Sequence, residues 1–172
     1  MNSKFLKLFF TVILFSNITL GQTKTSFSIN DELFELPGKW ELIGKIENSG
    51  QYSFTSKKLK LGLLISVRKT EKFEFYSKDL TEFEFLNKFY TWETEYWGKD
   101  DVNVEIEKIE INESDKYIIW RLKIIDKNIE SFIMSGVRNN KLIGISLSDN
   151  SKKEPKSKNE KIDFLKKIYF RK

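Results

Sequence analysis

The sequence predicts an α+β protein: a curved antiparallel β-sheet of about six to seven strands, with a long central helix and a C-terminal helix. Three observations lead there. Short segments with apolar residues at period two recur along the chain, separated by Gly, Asn and Pro. One central stretch, 79–97, spaces its aromatics as a helix does. A second amphipathic stretch, 159–170, closes the chain.

The first 21 residues precede this pattern and read as a cleavable signal peptide. Lys4 and Lys7 give a positive start, and no acidic residue occurs before Asp31. An apolar run follows over 8–14, interrupted by Thr11, and small residues stand at Thr19 and Gly21. The run is shorter than the roughly 20 apolar residues a membrane span needs. The mature start is expected at Gln22, so that 22–172 forms a single domain of roughly 150 residues. An exported protein, periplasmic or secreted, is the expectation, with no transmembrane segment after cleavage.

The strands are justified in turn. Residues 27–36 read as one extended piece ending at the turn pair Pro37-Gly38. Residues 40–46 follow, broken by Asn48-Ser49-Gly50. Tyr52 and Phe54 begin a third strand. Residues 59–67 make a fourth, with Leu61, Leu63 and Ile65 on one face. Residues 71–76 fit neither pattern. Then comes the helix 79–97, for which Asp79 is the expected cap, Glu82 its capping-box partner, and Gly98 the C-terminal glycine. Residues 102–111 alternate with a phase shift that predicts a bulge near Lys108. Residues 117–125 place Ile118, Trp120, Leu122 and Ile124 on one face. Segments 132–137 and 142–147 are joined by Asn139-Asn140, a two-residue hairpin signal. Both faces of these last strands are apolar, which predicts cover on both sides of part of the sheet. In the closing helix, Ile162, Leu165, Ile168 and Tyr169 form the buried stripe.

Composition excludes much chemistry. The chain has no His and no Cys. Disulfides, thiolate nucleophiles, imidazole acid–base catalysis and the usual zinc sites are therefore closed to it. No Gly-rich phosphate loop or serine-nucleophile motif occurs, and no cofactor or metal is implied. Asp100-Asp101 with Glu105 lacks the spacing of a calcium loop, and the Asn112-Glu113-Ser114 sequon is read as an ordinary turn. Charge is uneven: residues 149–172 hold nine Lys and Arg against four Asp and Glu, whereas 22–148 are slightly acidic. A basic tail gives a weak attraction to anionic surfaces. Nothing favours nucleic acid.

The long helix is the most informative segment. Phe85, Phe89, Trp92 and Tyr96 lie on one flank, and Phe83, Leu86, Tyr90 and Trp97 on the other. Together they span about 180°, wider than the roughly 100° a helix needs to dock on one sheet. Glu82 and Glu93 fall within that arc about 16 Å apart, beyond the roughly 5–9.5 Å of a glycosidase carboxylate pair. Glu82 is expected to serve the helix start and Glu93 to reach solvent beside the packed face. The candidate binding residues are Phe85, Phe89, Trp92, Glu93 and Tyr96, as a ridge exposed to a partner.

The order of elements resembles the Mog1/PsbP-like fold family. The resemblance is carried by Leu36-Pro37-Gly38-Lys39-Trp40, Tyr52-Ser53-Phe54, the helix with Phe85-Leu86, the hairpins around Trp120 and Asn139-Asn140, and residues 163–168. It implies a noncatalytic binding or assembly protein, in bacteria a small exported one. The functional expectation is accordingly contact with an unidentified protein partner. The alternatives are a carboxylate-based hydrolase and a small-ligand-binding protein.

Overall fold

The computed structural model describes residues 24–99, 103–151 and 155–171. The expected leader and the Asp100-Asp101 pair lie outside the described residues. Nine strands and two helices follow in the order β1 (Lys24–Ile29), β2 (Glu32–Pro37), β3 (Glu41–Ile46), β4 (Gln51–Ser56), β5 (Leu61–Lys69), α1 (Glu82–Lys99), β6 (Val104–Asn112), β7 (Tyr117–Ile124), β8 (Ile129–Arg138), β9 (Lys141–Asp149) and α2 (Lys158–Phe170). The main sheet has seven antiparallel strands in the order β3-β4-β5-β9-β8-β7-β6, and β1 and β2 form a separate hairpin. The fold class is therefore as expected.

The single extended piece expected over 27–36 is instead this hairpin. Asn30 and Asp31 both take positive φ, 47° and 65°, which reverses the chain in two residues. Asn139 and Asn140 do the same between β8 and β9, at 52° and 57°. The bulge expected near Lys108 falls between Lys108 and Glu110. A second bulge interrupts the edge strand β3 between Leu42 and Gly44.

The start of α1 differs from expectation. Thr81, not Asp79, supplies the cap: its hydroxyl accepts from the Glu84 N–H at 3.2 Å, and Glu84 Oε2 accepts from the Thr81 N–H at 2.8 Å. Asp79 lies two residues before it, its N–H held by the Ser77 hydroxyl at 3.3 Å. Gly98 lies inside the helix, which runs to Lys99. Residue α2 begins on is set by a full capping box of Ser157 and Glu160.

The sheet has a core on each face. On one, Leu61, Leu63, Ile65 and Val67 of β5 and Ile143, Ile145 and Leu147 of β9 meet Leu165, Ile168 and Tyr169 of α2 and Ile29, Phe34 and Leu36 of the hairpin. On the other, Ile118, Trp120 and Leu122 of β7 meet Phe85, Leu86 and Phe89 of α1. Lys161 of α2 is 2% exposed and is held by Asp149 at 2.6 Å and Glu130 at 3.3 Å.

Gly136 marks the tightest approach of α2. A Cβ at this position would stand 2.5 Å from the Tyr169 hydroxyl and 2.6 Å from its ring. Gly136→Ala is expected to lower stability in urea unfolding by about 1–3 kcal/mol, the usual cost of overpacking. A loss below about 0.5 kcal/mol, the range of neutral surface changes, would show that the ring can withdraw.

Candidate functional site: a cleft between α1 and the sheet

Helix α1 packs on β6, β7 and β8. Its packing on β4, β5 and β9 is slighter, and several residues on that side, Ser53, Ser66, Gly144 and Ser146, are small. The pairing aligns them in rows across the sheet. One row runs Ser53, Leu64, Ser146, Ile133, Trp120; the next runs Ser66, Gly144, Ser135, Ile118. Where large side chains on β7 and β8 give way to serines, a cleft of about 270 Å³ opens beneath the helix. Phe89, Glu93 and Trp97, one helical turn apart, form its roof. Ser66, Ser131, Ser135 and Ser146 form its floor, and Leu122, Ile124, Ile129 and Ile133 its apolar wall. Gly144 keeps the floor low: a Cβ there would meet the Ser66 hydroxyl at 2.9 Å.

Arg68 stands at the edge of the cleft. Its guanidinium carbon lies 4.7 Å from the Phe73 ring centre and 5.9 Å from that of Phe89, a cation–π arrangement that orients the group. Its Nε is buried without a hydrogen-bond partner. Trp120, in contrast, donates to the Ser135 hydroxyl at 3.4 Å.

Glu93 lines the cleft and is half-buried, so it keeps part of the solvent contact expected of it. Burial pushes its carboxyl above the ordinary range, while Arg68 and the nearby Trp97 indole draw it the other way. Burial likewise lowers the pKa of Arg68, opposed by the charge of Glu93.

The five residues expected to form one ridge are divided by the structure. Phe85 is buried against Phe73 and Phe75 at 5.5 and 5.3 Å between ring centres. Phe89 and Glu93 face the cleft. Trp92 is half-buried on the outer flank, its N–H donated to Glu74 at 2.9 Å. Tyr96, 57% exposed, stacks on Trp92 with ring centres 6.5 Å apart. Glu82 is neither cap nor site: it accepts from the Asn140 N–H at 3.1 Å and pairs with Lys116. Burial opposes its charge, but these partners hold its carboxyl below the usual range.

The residues missed in the sequence are Arg68, Trp97 and the serines. The signal of the serines is Gly144, Ser146 and Ser148 at alternate positions of β9, with Ser131 and Ser135 on β8, where a half-buried strand ordinarily places large side chains; Arg68 and Trp97 leave no such signal. The basic tail carries less free charge than it suggests. Lys156, Lys158, Lys161, Lys166 and Arg171 are engaged by Glu160, Glu107, Asp149, Glu110 and Glu32.

No family model and no curated protein matches the chain. Among solved structures it is similar to cyanobacterial PsbP (CyanoP) from Synechocystis sp. PCC 6803, determined in solution. The TM-score is 0.54 at 13% identity, over 91% of this chain and 96% of that one. The chain thus has a PsbP-like fold, which is the PsbP part of the expected resemblance. At this identity the likeness concerns the fold alone.

Because the folded chain raises the Glu93 pKa above 4.5, it holds the proton more tightly than the unfolded chain does. Stability from this source is full below pH 4.5 and is lost as pH rises through the folded value. Glu93→Gln is expected to remove that loss, so its advantage over wild type should grow from about pH 4 to about pH 8 in urea unfolding. A constant difference across that range would place the Glu93 carboxylate in water.

Proposed function

We propose that the chain is an exported, noncatalytic binding protein whose cleft beneath α1 takes a small ligand. One observation carries this reading: Arg68 and Glu93, opposite in charge and without an ion pair among the described residues, line one cleft together with Trp97 and a floor of serines. A ligand with polar groups placed to meet these two charges would offset the cost of their partial desolvation. The volume of about 270 Å³ lies just under the roughly 300–1,000 Å³ of sites for larger molecules, which favours a small one. The noncatalytic part is supported by the residues at hand. The chain has no His or Cys, and Glu93 is the one carboxylate in the described lining, so a hydrolase built on paired carboxylates is not favoured. Export rests on the N-terminal pattern; among the described residues no helix is long and apolar enough to cross a membrane.

The test is an NMR screen of small amphipathic compounds with ¹⁵N-labelled protein, read at the indole N–H signals. A ligand in the cleft is expected to shift Trp97 and Trp120 while leaving Trp40, on the other side of the sheet, unmoved. Ser146→Phe, which fills the floor, should abolish the response. If no compound moves Trp97 or Trp120, the cleft is not a ligand site.

The exposed stack of Tyr96 on Trp92 favours a second reading, in which the outer flank of α1 contacts a protein in the cell envelope or outside the cell. Capture from native envelope should then yield a partner that a folded Trp92→Ala, Tyr96→Ala protein loses and Ser146→Phe keeps. Equal capture by all three would remove the flank from consideration.

A further inference from the structure

Of the four arginines in the chain, three hold carboxylates. Arg121 engages Glu105, Glu107 and Glu130, and Arg138 and Arg171 both engage Glu32. Arg68 holds none among the described residues; its contacts are the two phenylalanine rings. Glu93, in the roof of the same cleft, also has no ion pair among the described residues. The two are near enough for each charge to act on the other, yet they do not join. Two opposite charges therefore share one partly enclosed space with a gap between them, and the rest of the wall is apolar or hydroxylic.

A gap of this kind selects its occupant by charge. A simple anion would neutralise Arg68 but meet the Glu93 carboxylate. A simple amine would do the reverse. A molecule carrying both charges on adjacent groups satisfies both, and in a site of low dielectric each pairing is stronger than in water.

Resting on the reading of the cleft as a ligand site, we propose that the ligand is a free α-amino acid with an apolar side chain. Its carboxylate pairs with Arg68, which presents a planar fork of donors suited to that group. Its ammonium pairs with Glu93. The hydroxyls of Ser66 and Ser146 lie on the floor below the charged groups, and the side chain lies along Trp120, Leu122 and Ile133. The modest volume and the absence of a second cation or second lone carboxylate in the described lining match one zwitterion.

The experiment is titration of the full-length protein at neutral pH by calorimetry, with the Trp97 indole signal as site reporter. The probes are L-leucine, 4-methylpentanoate, which lacks the ammonium, and 3-methylbutylamine, which lacks the carboxylate. Leucine is expected to bind at least roughly 30-fold more tightly than either, the smaller end of what losing one partner of a desolvated charge pair costs. Arg68→Met, which keeps the stem against Phe73 and Phe89, should weaken leucine by a similar factor, and so should Glu93→Gln. The three-probe comparison uses the unaltered protein, so it stands even where a variant fails to fold. If 4-methylpentanoate binds as tightly as leucine, or Glu93→Gln tightens leucine, the amino acid assignment is overturned while the cleft remains a ligand site. If no probe shifts Trp97 but other compounds in the screen do, the ligand class is wrong; if nothing does, the cleft reading itself fails.

Discussion

The pairing of β5 with β9 is the contact on which the rest of the molecule depends. It aligns nine residues from Leu61↔Asp149 to Lys69↔Lys141 and joins two units far apart in sequence: the β3-β4-β5 meander and the β6-to-β9 meander. It also decides which side chains meet on each face. A slip of one residue would turn Leu63, Ile65 and Val67 away from Ile143, Ile145 and Leu147 and out of the α2 core. That apolar face makes the register costly to change, so the opposite face inherits its arrangement without selecting it. Gly144 lies opposite Ser66, and Ser146 opposite Leu64, because the apolar residues between them are already matched.

The cleft follows from that inheritance together with the short reach of α1. The helix crosses β6, β7 and β8, where Ile118, Trp120 and Leu122 give it an apolar bed. Beyond them the sheet surface drops to serine and glycine, and nothing from the helix fills the step. Arg68 and Glu93 are left there partly desolvated and unjoined. Direct ion pairing would relieve that cost at the expense of the space between them. Open surface is easily reached by water; this space, roofed by Phe89, Glu93 and Trp97, strengthens any charge that enters it.

Features encoded by neighbouring residues were legible in the sequence. The alternation of β5 and β7, the Asn139-Asn140 turn, the bulge beside Lys108 and the stripe of α2 all depend on spacing within a few positions. Asn30-Asp31 has the same turn chemistry as Asn139-Asn140, yet 27–36 reads as one strand because its apolar spacing continues across the turn. The cap of α1 was misplaced because Asp79 and Glu82 have the same spacing as Thr81 and Glu84, and only the backbone distinguishes them. The candidate site was least legible for a different reason. Arg68, Glu93 and Ser146 belong to three elements brought together by the β5–β9 register and the seating of α1. No local pattern could place Glu93 in the cleft roof, since the cleft is made by strands distant from it in sequence.

The wide aromatic arc of α1 is explained by three surroundings instead of one ridge. Phe85 and Phe89 serve the sheet-side core. The segment after β5 folds over the outer flank, where Phe73 and Phe75 receive Phe85 and Trp92. Tyr90 meets Trp120 at 5.9 Å on the other flank and lies under Lys108, whose Nζ is 4.1 Å from its ring centre. A helix lined on three sides needs an arc of about 180°, where a helix on one sheet needs roughly 100°. Only its last turns run past the covering segment. There Tyr96 emerges outward while Trp97 turns beneath the helix into the cleft, so neighbouring residues of one helix address two separate surfaces.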